Sequence, residues 1–165
     1  MSDPVVELRG VSKAFGEKVV LDSVDLTVRR GEVLVILGGS GTGKSVTLRH
    51  MNGLTHPDSG EVLVDGAEVS RLSEEELGPV RRKVGMLFQM GALFDSMTVF
   101  ENVAFALWEH TAMTEAQVEA RVREVLGFVN LGPDVMPLLP SSLSGGMKKR
   151  VSLARTIALA PEVLL

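Results

Sequence analysis

The apolar positions of this chain change their rhythm along its length, and each rhythm predicts a different kind of element. Near the N-terminus, Val5-Val6-Glu7-Leu8 and Val19-Val20-Leu21 are short branched runs, and Val24, Leu26 and Val28 alternate with Asp25 and Thr27. A period of two with one polar face suits an antiparallel sheet with one wet side. After the turn at Arg30-Gly31, Val33 to Leu37 is an unbroken apolar run. It predicts a strand buried on both faces of a parallel sheet, at the centre of the fold. Ser45 to Asn52 carries Val46 and Leu48 without a breaker and predicts a helix. A turn cluster from His56 to Gly60 leads to Glu61-Val62-Leu63-Val64 and the hairpin pair Asp65-Gly66. Ser73 with Glu76 reads as a capping box over a short helix, and Val84 to Phe88 as a second buried strand ended by Gln89.

Beyond Gln89 the period becomes helical. Thr114 with Gln117 is a second capping box, and Val118, Val122, Val125 and Val129 recur at helical spacing, with Glu119, Arg121, Arg123 and Glu124 mostly on the other side. Pro133, Pro137 and Pro140 break the chain before a last helix, in which Met147, Val151, Ala154 and Ala158 share one face while Lys148, Lys149, Arg150 and Arg155 lie elsewhere. Pro161 stops that helix, and Val163-Leu164-Leu165 predicts the start of a buried strand.

Composition narrows the class. At 165 residues and 45% hydrophobic, the chain can bury one domain's core, with room for a sub-domain, and does not read as disordered. The 17 basic residues against 21 acidic ones give a net charge of −4, the wrong sign for a protein that clamps nucleic-acid phosphates. With no cysteine there is neither a disulfide framework nor a thiolate zinc site. The start lacks the basic and apolar regions of a secretion signal, so a soluble, cytosolic chain is expected.

The chemistry sits in two glycine-rich turns. Gly38-Gly39-Ser40-Gly41-Thr42-Gly43-Lys44-Ser45 matches G-x-x-x-x-G-K-[ST] between an expected strand and an expected helix. Glycines let successive N–H groups turn inward around phosphates, Lys44 brings a full positive charge, and Ser45 is placed to offer its hydroxyl to Mg²⁺. Leu143-Ser144-Gly145-Gly146-Met147 opens the last helix and puts a hydroxyl and glycine N–H groups at a second helix N-terminus. Ser144 alone could be an ordinary N-cap. Two glycines directly after it are harder to explain structurally, since each costs about 1 kcal/mol against alanine in a helix.

The phosphate loop, Gln89 at a strand end, and Leu-Ser-Gly-Gly-Met running into Lys148-Lys149-Arg150-Val151-Ser152-Leu153-Ala154-Arg155 together resemble the nucleotide-binding subunit of an ATP-binding-cassette (ABC) transporter. The resemblance covers essentially the whole chain. It implies an α/β fold: a P-loop NTPase core, an antiparallel β sub-domain and an inserted helical sub-domain. Residues 1–89 would hold the β sub-domain and P-loop core, 90–142 the helical sub-domain, and 143–165 the signature helix and the start of the Walker B strand. It also implies that Phe15 stacks on adenine, with a core aromatic as the competing reading. ATP would lie on Gly38 to Ser45, and Gln89 would contact Mg²⁺ or the attacking water. Ser144, Gly145, Gly146 and Met147 would meet the ATP held by a second ATPase subunit in a head-to-tail dimer.

Within the family, Phe88 to Val103 is similar to the ATPases of Mce-type phospholipid transporters, with Asp95-Ser96 where many importers carry Pro-His. That stretch would receive a membrane permease subunit, with Met90, Leu93, Phe94 and Met97 either lining the contact or packing in the core. The chain would then work in the cytoplasm, peripheral to the inner face of the membrane. The family's strand after Pro161 ends in an Asp-Glu pair, and a histidine follows later. None of these falls within 165 residues, and His50, His56 and His110 do not stand in that histidine's place. The resemblance therefore implies a fold incomplete at the C-terminus, the first part of a longer ATPase. A non-hydrolytic nucleotide-binding fragment, and a soluble ABC-type ATPase outside transport, remain the alternatives at this point.

Overall fold

The computed structural model describes residues 3–89 and 91–165, and the sequence expectation for Met90 lies outside them. The chain divides into two compact units, Met1–Val84 and Gly85–Leu165.

The first unit is built on a four-stranded antiparallel sheet of order β2-β1-β3-β4, formed by β1 (Pro4–Phe15), β2 (Lys18–Arg29), β3 (Ser59–Val64) and β4 (Ala67–Glu68). In β2, Leu21, Val24, Leu26 and Val28 turn inward and Asp22, Asp25, Thr27 and Arg29 outward, as the alternation predicts. In β1, Val6, Leu8 and Val11 are buried, which breaks a strict period of two. The reason is a bulge: Leu8 faces Leu26 and Val11 faces Val24, so one extra residue of β1 is accommodated and Val11 returns to the buried face. Asp65 and Gly66, both at positive φ, form the tight turn between β3 and β4. Two helices complete the unit, α1 (Lys44–Met51) and α2 (Glu74–Lys83).

One expectation fails. Val33 to Leu37 is not a buried strand: among the described residues it joins no ladder, and Val33, Val35 and Leu37 are 90%, 69% and 87% exposed. A strand buried on both faces needs a hydrogen-bonded neighbour on each side. The unit's sheet ends at β2 and β4 and does not take this run in.

The second unit is mostly helical. It contains α3 (Val99–His110), α4 (Glu115–Phe128) and α5 (Gly145–Ile157), with two short 3₁₀ turns at Pro133–Val135 and Pro140–Ser142. Val103 and Leu107 of α3, Val118, Val122, Val125 and Leu126 of α4, and Val151 and Ala154 of α5 form one core with less than 2% exposure each. The valine stripe of α4 and the Val151-Ala154-Ala158 face of α5 are thus where the periodicity places them. Helix α3 was not anticipated, although its Thr98-x-x-Glu101 capping box is the same signal as at Ser73 and Thr114. The expected strand over Val84 to Phe88 shortens to β5 (Val84–Gly85), paired with β6 (Val163–Leu164). Leu165 donates to the Gly85 carbonyl at 2.8 Å and accepts from the Leu87 N–H at 2.8 Å, which extends this contact by backbone bonds alone.

His50, one turn beyond the phosphate loop on α1, is 1% exposed. Its Nδ1 lies 2.6 Å from the Val46 carbonyl oxygen, an acceptor only, so Nδ1 carries the proton. Nε2 is buried without a hydrogen-bond partner. Burial holds the imidazole pKa below its usual 6.5; the Val46 carbonyl opposes this, Lys13 and His56 add to it, and Asp58 opposes it. Below 6.5 the unfolded chain therefore takes up protons that the folded chain resists, and stability falls as pH drops until the lowered folded-state pKa is passed. His50→Leu removes this contribution. Urea unfolding midpoints measured between about pH 8 and 5 should depend less on pH in the variant than in the wild type.

Candidate functional site

Helix starts decide where a ligand can be held, because the first N–H groups of any helix lack partners within it. Among the described residues, three of the five α-helices meet that need themselves. Ser73, Thr98 and Thr114 cap α2, α3 and α4, each in a reciprocal box with Glu76, Glu101 or Gln117, and each of these helices has an acidic residue in its first turn. The Ser73 and Thr98 bonds pull the Glu76 and Glu101 carboxyls below their ordinary pKa, so both stay ionised at their helix starts. Helices α1 and α5 differ: neither has an acidic residue in its first turn and neither forms a box. These are the two helices that the glycine motifs open.

At α1 the N-cap is Gly43, which has no side chain to close the helix end. Its φ is +90°, and a Cβ there would lie 3.0 Å from the Val20 carbonyl oxygen, so strand β2 and the backbone turn both require glycine. Its carbonyl accepts from the N–H of Thr47 at 2.8 Å and from the Thr47 hydroxyl at 3.1 Å, which locks the first turn. Lys44 folds back over the loop: its Nζ donates to the carbonyls of Gly38 at 2.8 Å and Gly39 at 2.6 Å. The Thr42 hydroxyl braces the same turn by donating to Gly39 O at 3.0 Å. The loop thus holds a full positive charge at the mouth of a helix whose N–H groups face no carboxylate, with the Ser45 side chain exposed beside it.

Phe15 ends β1 and is 53% exposed, with the Lys13 ammonium 5.6 Å from its ring centre. Its reading as a core aromatic is excluded. It pairs with Lys18 in the ladder, close in register to Val20, the residue of β2 that touches Gly43. The aromatic face and the phosphate loop therefore lie at one end of the same sheet.

In the second unit Gln89 is exposed, in a turn where the Gly91 N–H donates to Phe88 O at 2.8 Å. Ser144 caps α5, its hydroxyl accepting from the Met147 N–H at 3.3 Å, so the ordinary-cap reading holds for this residue. It does not account for Gly145 and Gly146. A Cβ built on either meets nothing within 4 Å, so nothing in this chain requires glycine at these two exposed positions.

Three residues that lie within the motif stretches but are given no role there organise the segment behind Gln89. Asn102 on α3 is fully buried: its Oδ1 accepts from Phe94 N–H at 2.8 Å and its Nδ2 donates to the carbonyls of Phe94, Met97 and Thr98 at 3.0–3.1 Å. Ser152 on α5 donates to Gly91 O at 2.7 Å, and Arg155 donates to Gly91 O at 3.0 Å and Ala92 O at 2.8 Å while lying 5.6 Å from the Phe94 ring centre. Burial lowers the Arg155 pKa from its usual value. A buried asparagine inside a helix is the signal that could have marked the first of these. Leu93 packs against the helical core, whereas Phe94 is exposed.

No group of three or more His, Asp or Glu side chains able to hold a metal occurs among the described residues. A magnesium ion at Ser45 fits this donor set only when phosphate oxygens supply further ligands, which is how that ion is commonly held in nucleotide sites.

A lysine-closed phosphate loop next to an antiparallel sheet, with a separate helical unit whose last helix opens on Ser144 and two exposed glycines, defines a nucleotide-binding cassette. The family profile described as ABC transporter matches residues 21–165, and the chain belongs to that family. It is 44% identical over 160 residues to the probable ribonucleotide transport ATP-binding protein mkl of Mycobacterium tuberculosis, covering 97% of this chain and 44% of that protein. It is 41% identical over 165 residues to the intermembrane phospholipid transport system ATP-binding protein MlaF of Haemophilus influenzae, covering all of this chain and 62% of that protein. The chain thus spans about half the length of these relatives. Among solved structures, the dimeric ATP-binding cassette MJ0796 bound to ADP and Pi superposes with a TM-score of 0.89 at 34% identity, over 96% of this chain and 72% of that one. The ABC ATPase fold expected from the motifs is therefore the fold found.

Since nothing in the chain needs glycine at 145 or 146, Gly146→Ala should leave the fold intact and raise its stability by about 0.4–1 kcal/mol. Thermal melting of the variant beside the wild type checks this, and a drop in melting temperature would show a contact at Gly146 that the structure lacks.

Proposed function

We propose that this chain is the nucleotide-binding part of an ATPase subunit that powers an ABC transporter. The observation that carries the reading is the division among helix starts: of the α-helices among the described residues, α1 and α5 alone lack acidic first turns, and both open on glycine. Gly38 to Ser45 binds the phosphates of ATP, with Lys44 on the terminal phosphates, Ser45 toward Mg²⁺ and Phe15 against the adenine. The magnesium ion supplies charge neutralisation to the phosphates. Ser144, Gly145, Gly146 and Met147 receive the ATP held by a second copy in a head-to-tail pair; the open space at the two glycines is room for that approach. ATP binds the closed pair better than the open one and so shifts the population toward closure. Gln89 senses the γ-phosphate, and the Phe88 to Val103 stretch takes the permease.

Residues 1–89 act as the β sub-domain and phosphate-loop core, 90–142 as the helical sub-domain and 143–165 as the signature segment. Hydrolysis requires an acidic base to act on the attacking water. No helix among the described residues is long and apolar enough to cross a membrane, so in this reading the permease provides the attachment, on the cytoplasmic side. A phospholipid or similar hydrophobic compound is the proposed cargo, supported by the likeness to the phospholipid-system ATPase and by the similarity of Phe88 to Val103 to that class.

Lys44→Ala in the complete protein should weaken ATP binding about 10- to 150-fold, the worth of a lost charge-assisted bond of about 1.5–3 kcal/mol. Equilibrium titration with a fluorescent ATP analogue measures it. Ser144→Arg should leave that affinity in place and stop turnover, because an arginine fills the space where the second nucleotide arrives. Normal turnover by the Ser144→Arg protein in its assembled transporter would sink the head-to-tail reading.

A further inference from the structure

The loop Gly91–Met97 is held by side chains of two helices and has little backbone pairing of its own. Asn102 of α3, fully buried, holds the loop's far end by accepting from the Phe94 N–H and donating to the Phe94 and Met97 carbonyls, and its Nδ2 also lies on the Thr98 carbonyl just past the loop. At the near end, the Gly91 carbonyl accepts from both Ser152 and Arg155, and the Ala92 carbonyl accepts from the second Arg155 nitrogen. Ala92 has φ +47°, a left-handed conformation that costs a residue with a Cβ about 1–2 kcal/mol, and one of the Arg155 bonds falls on this residue. Arg155 also faces the Phe94 ring, so one guanidinium contacts three loop residues. Ser152 and Arg155 are three residues apart on α5 and share a side, whereas Val151 and Ala154 face the core that α5 shares with α3 and α4. Ser144, which heads α5, lies about 12 Å along the axis from Ser152, with unbroken helix between them.

We propose that Arg155 and Ser152 are positioning residues that make the loop behind Gln89 move as one body with α5. A displacement imposed at Ser144–Met147 then reaches Gly91–Met97 through the helix and two side chains rather than through the intervening chain. This rests on the reading of Ser144–Met147 as the segment that meets the second nucleotide. It adds the physical link by which that event is felt where the permease is expected. A tie made of bonds to carbonyl oxygens is stiff but removable, since each donor can be taken away without opening the apolar core.

The test is hydrogen exchange of the complete ATPase with and without a non-hydrolysable ATP analogue and Mg²⁺, in the wild type, Arg155→Gln, Arg155→Lys and Ser152→Ala. In the wild type the nucleotide should change protection both at 145–148 and at the Phe94 and Met97 amides. In Arg155→Gln and Ser152→Ala the response at 145–148 should persist while the response at Phe94 and Met97 falls roughly two- to thirtyfold. Arg155→Lys, able to reach one carbonyl, should recover part of it. A purely structural role would change baseline protection without removing the nucleotide-dependent difference at the loop. If Arg155→Gln does not fold, Ser152→Ala, which loses one hydroxyl, decides. A full loop response in a folded variant overturns the proposal, as does a wild type that responds at 145–148 but not at the loop. A wild type silent at 145–148 overturns both this proposal and the head-to-tail reading beneath it, so the two failures are separable.

Discussion

Every helix begins with backbone N–H groups that something must accept, and how this chain meets that demand organises the whole molecule. Three helices close their ends with their own Ser or Thr and a Glu or Gln three residues on, which makes them self-sufficient structural parts. The other two keep their first turns free of acidic side chains. At α1 no side chain accepts from the first turn, and the Lys44 ammonium, which only donates and is held by the carbonyls of Gly38 and Gly39, adds positive charge at the loop mouth. At α5 Ser144 closes one N–H and the two glycines leave open space. The sequence motifs for phosphate binding fall on the two helix starts that lack an acidic first turn.

The two units achieve stability by different means. The first depends on one long antiparallel ladder, whose bulge in β1 returns Val11 to the core, and on β2 passing close beneath Gly43. The second depends on side chains of three helices meeting in one apolar cluster, with the polar loop behind Gln89 tied to it by Asn102, Ser152 and Arg155. Between the ladder and the phosphate loop runs Val33 to Leu37, the most apolar segment of the first unit and nearly the most exposed. An exposed apolar run of that length is the kind of surface that contacts are made on.

Local signals were read well because they are local. Capping boxes at Ser73 and Thr114, the Asp65-Gly66 turn and the valine stripe of α4 depend on residues three or four apart, and each stands where its spacing puts it. The box at Thr98 carries the same local signal, three residues from Glu101, and opens α3. Phe15 was ambiguous in sequence, since an aromatic at a strand end suits either core or ligand, and only its exposure removes the first option.

The amino-acid sequence by itself determined the family, the phosphate loop and the two glycine-opened helix starts, because those depend on residue type at fixed spacing along one backbone. Tertiary structure alone decided three other things: that Val33 to Leu37 lacks ladder partners, that Gly145 and Gly146 face open space, and that Arg155 and Ser152 hold a loop some sixty residues earlier in the chain. Each of these concerns what stands next to a residue in space. Periodicity tells which face of an element is apolar, but what meets that face, or fails to, is set by packing between segments distant in the chain.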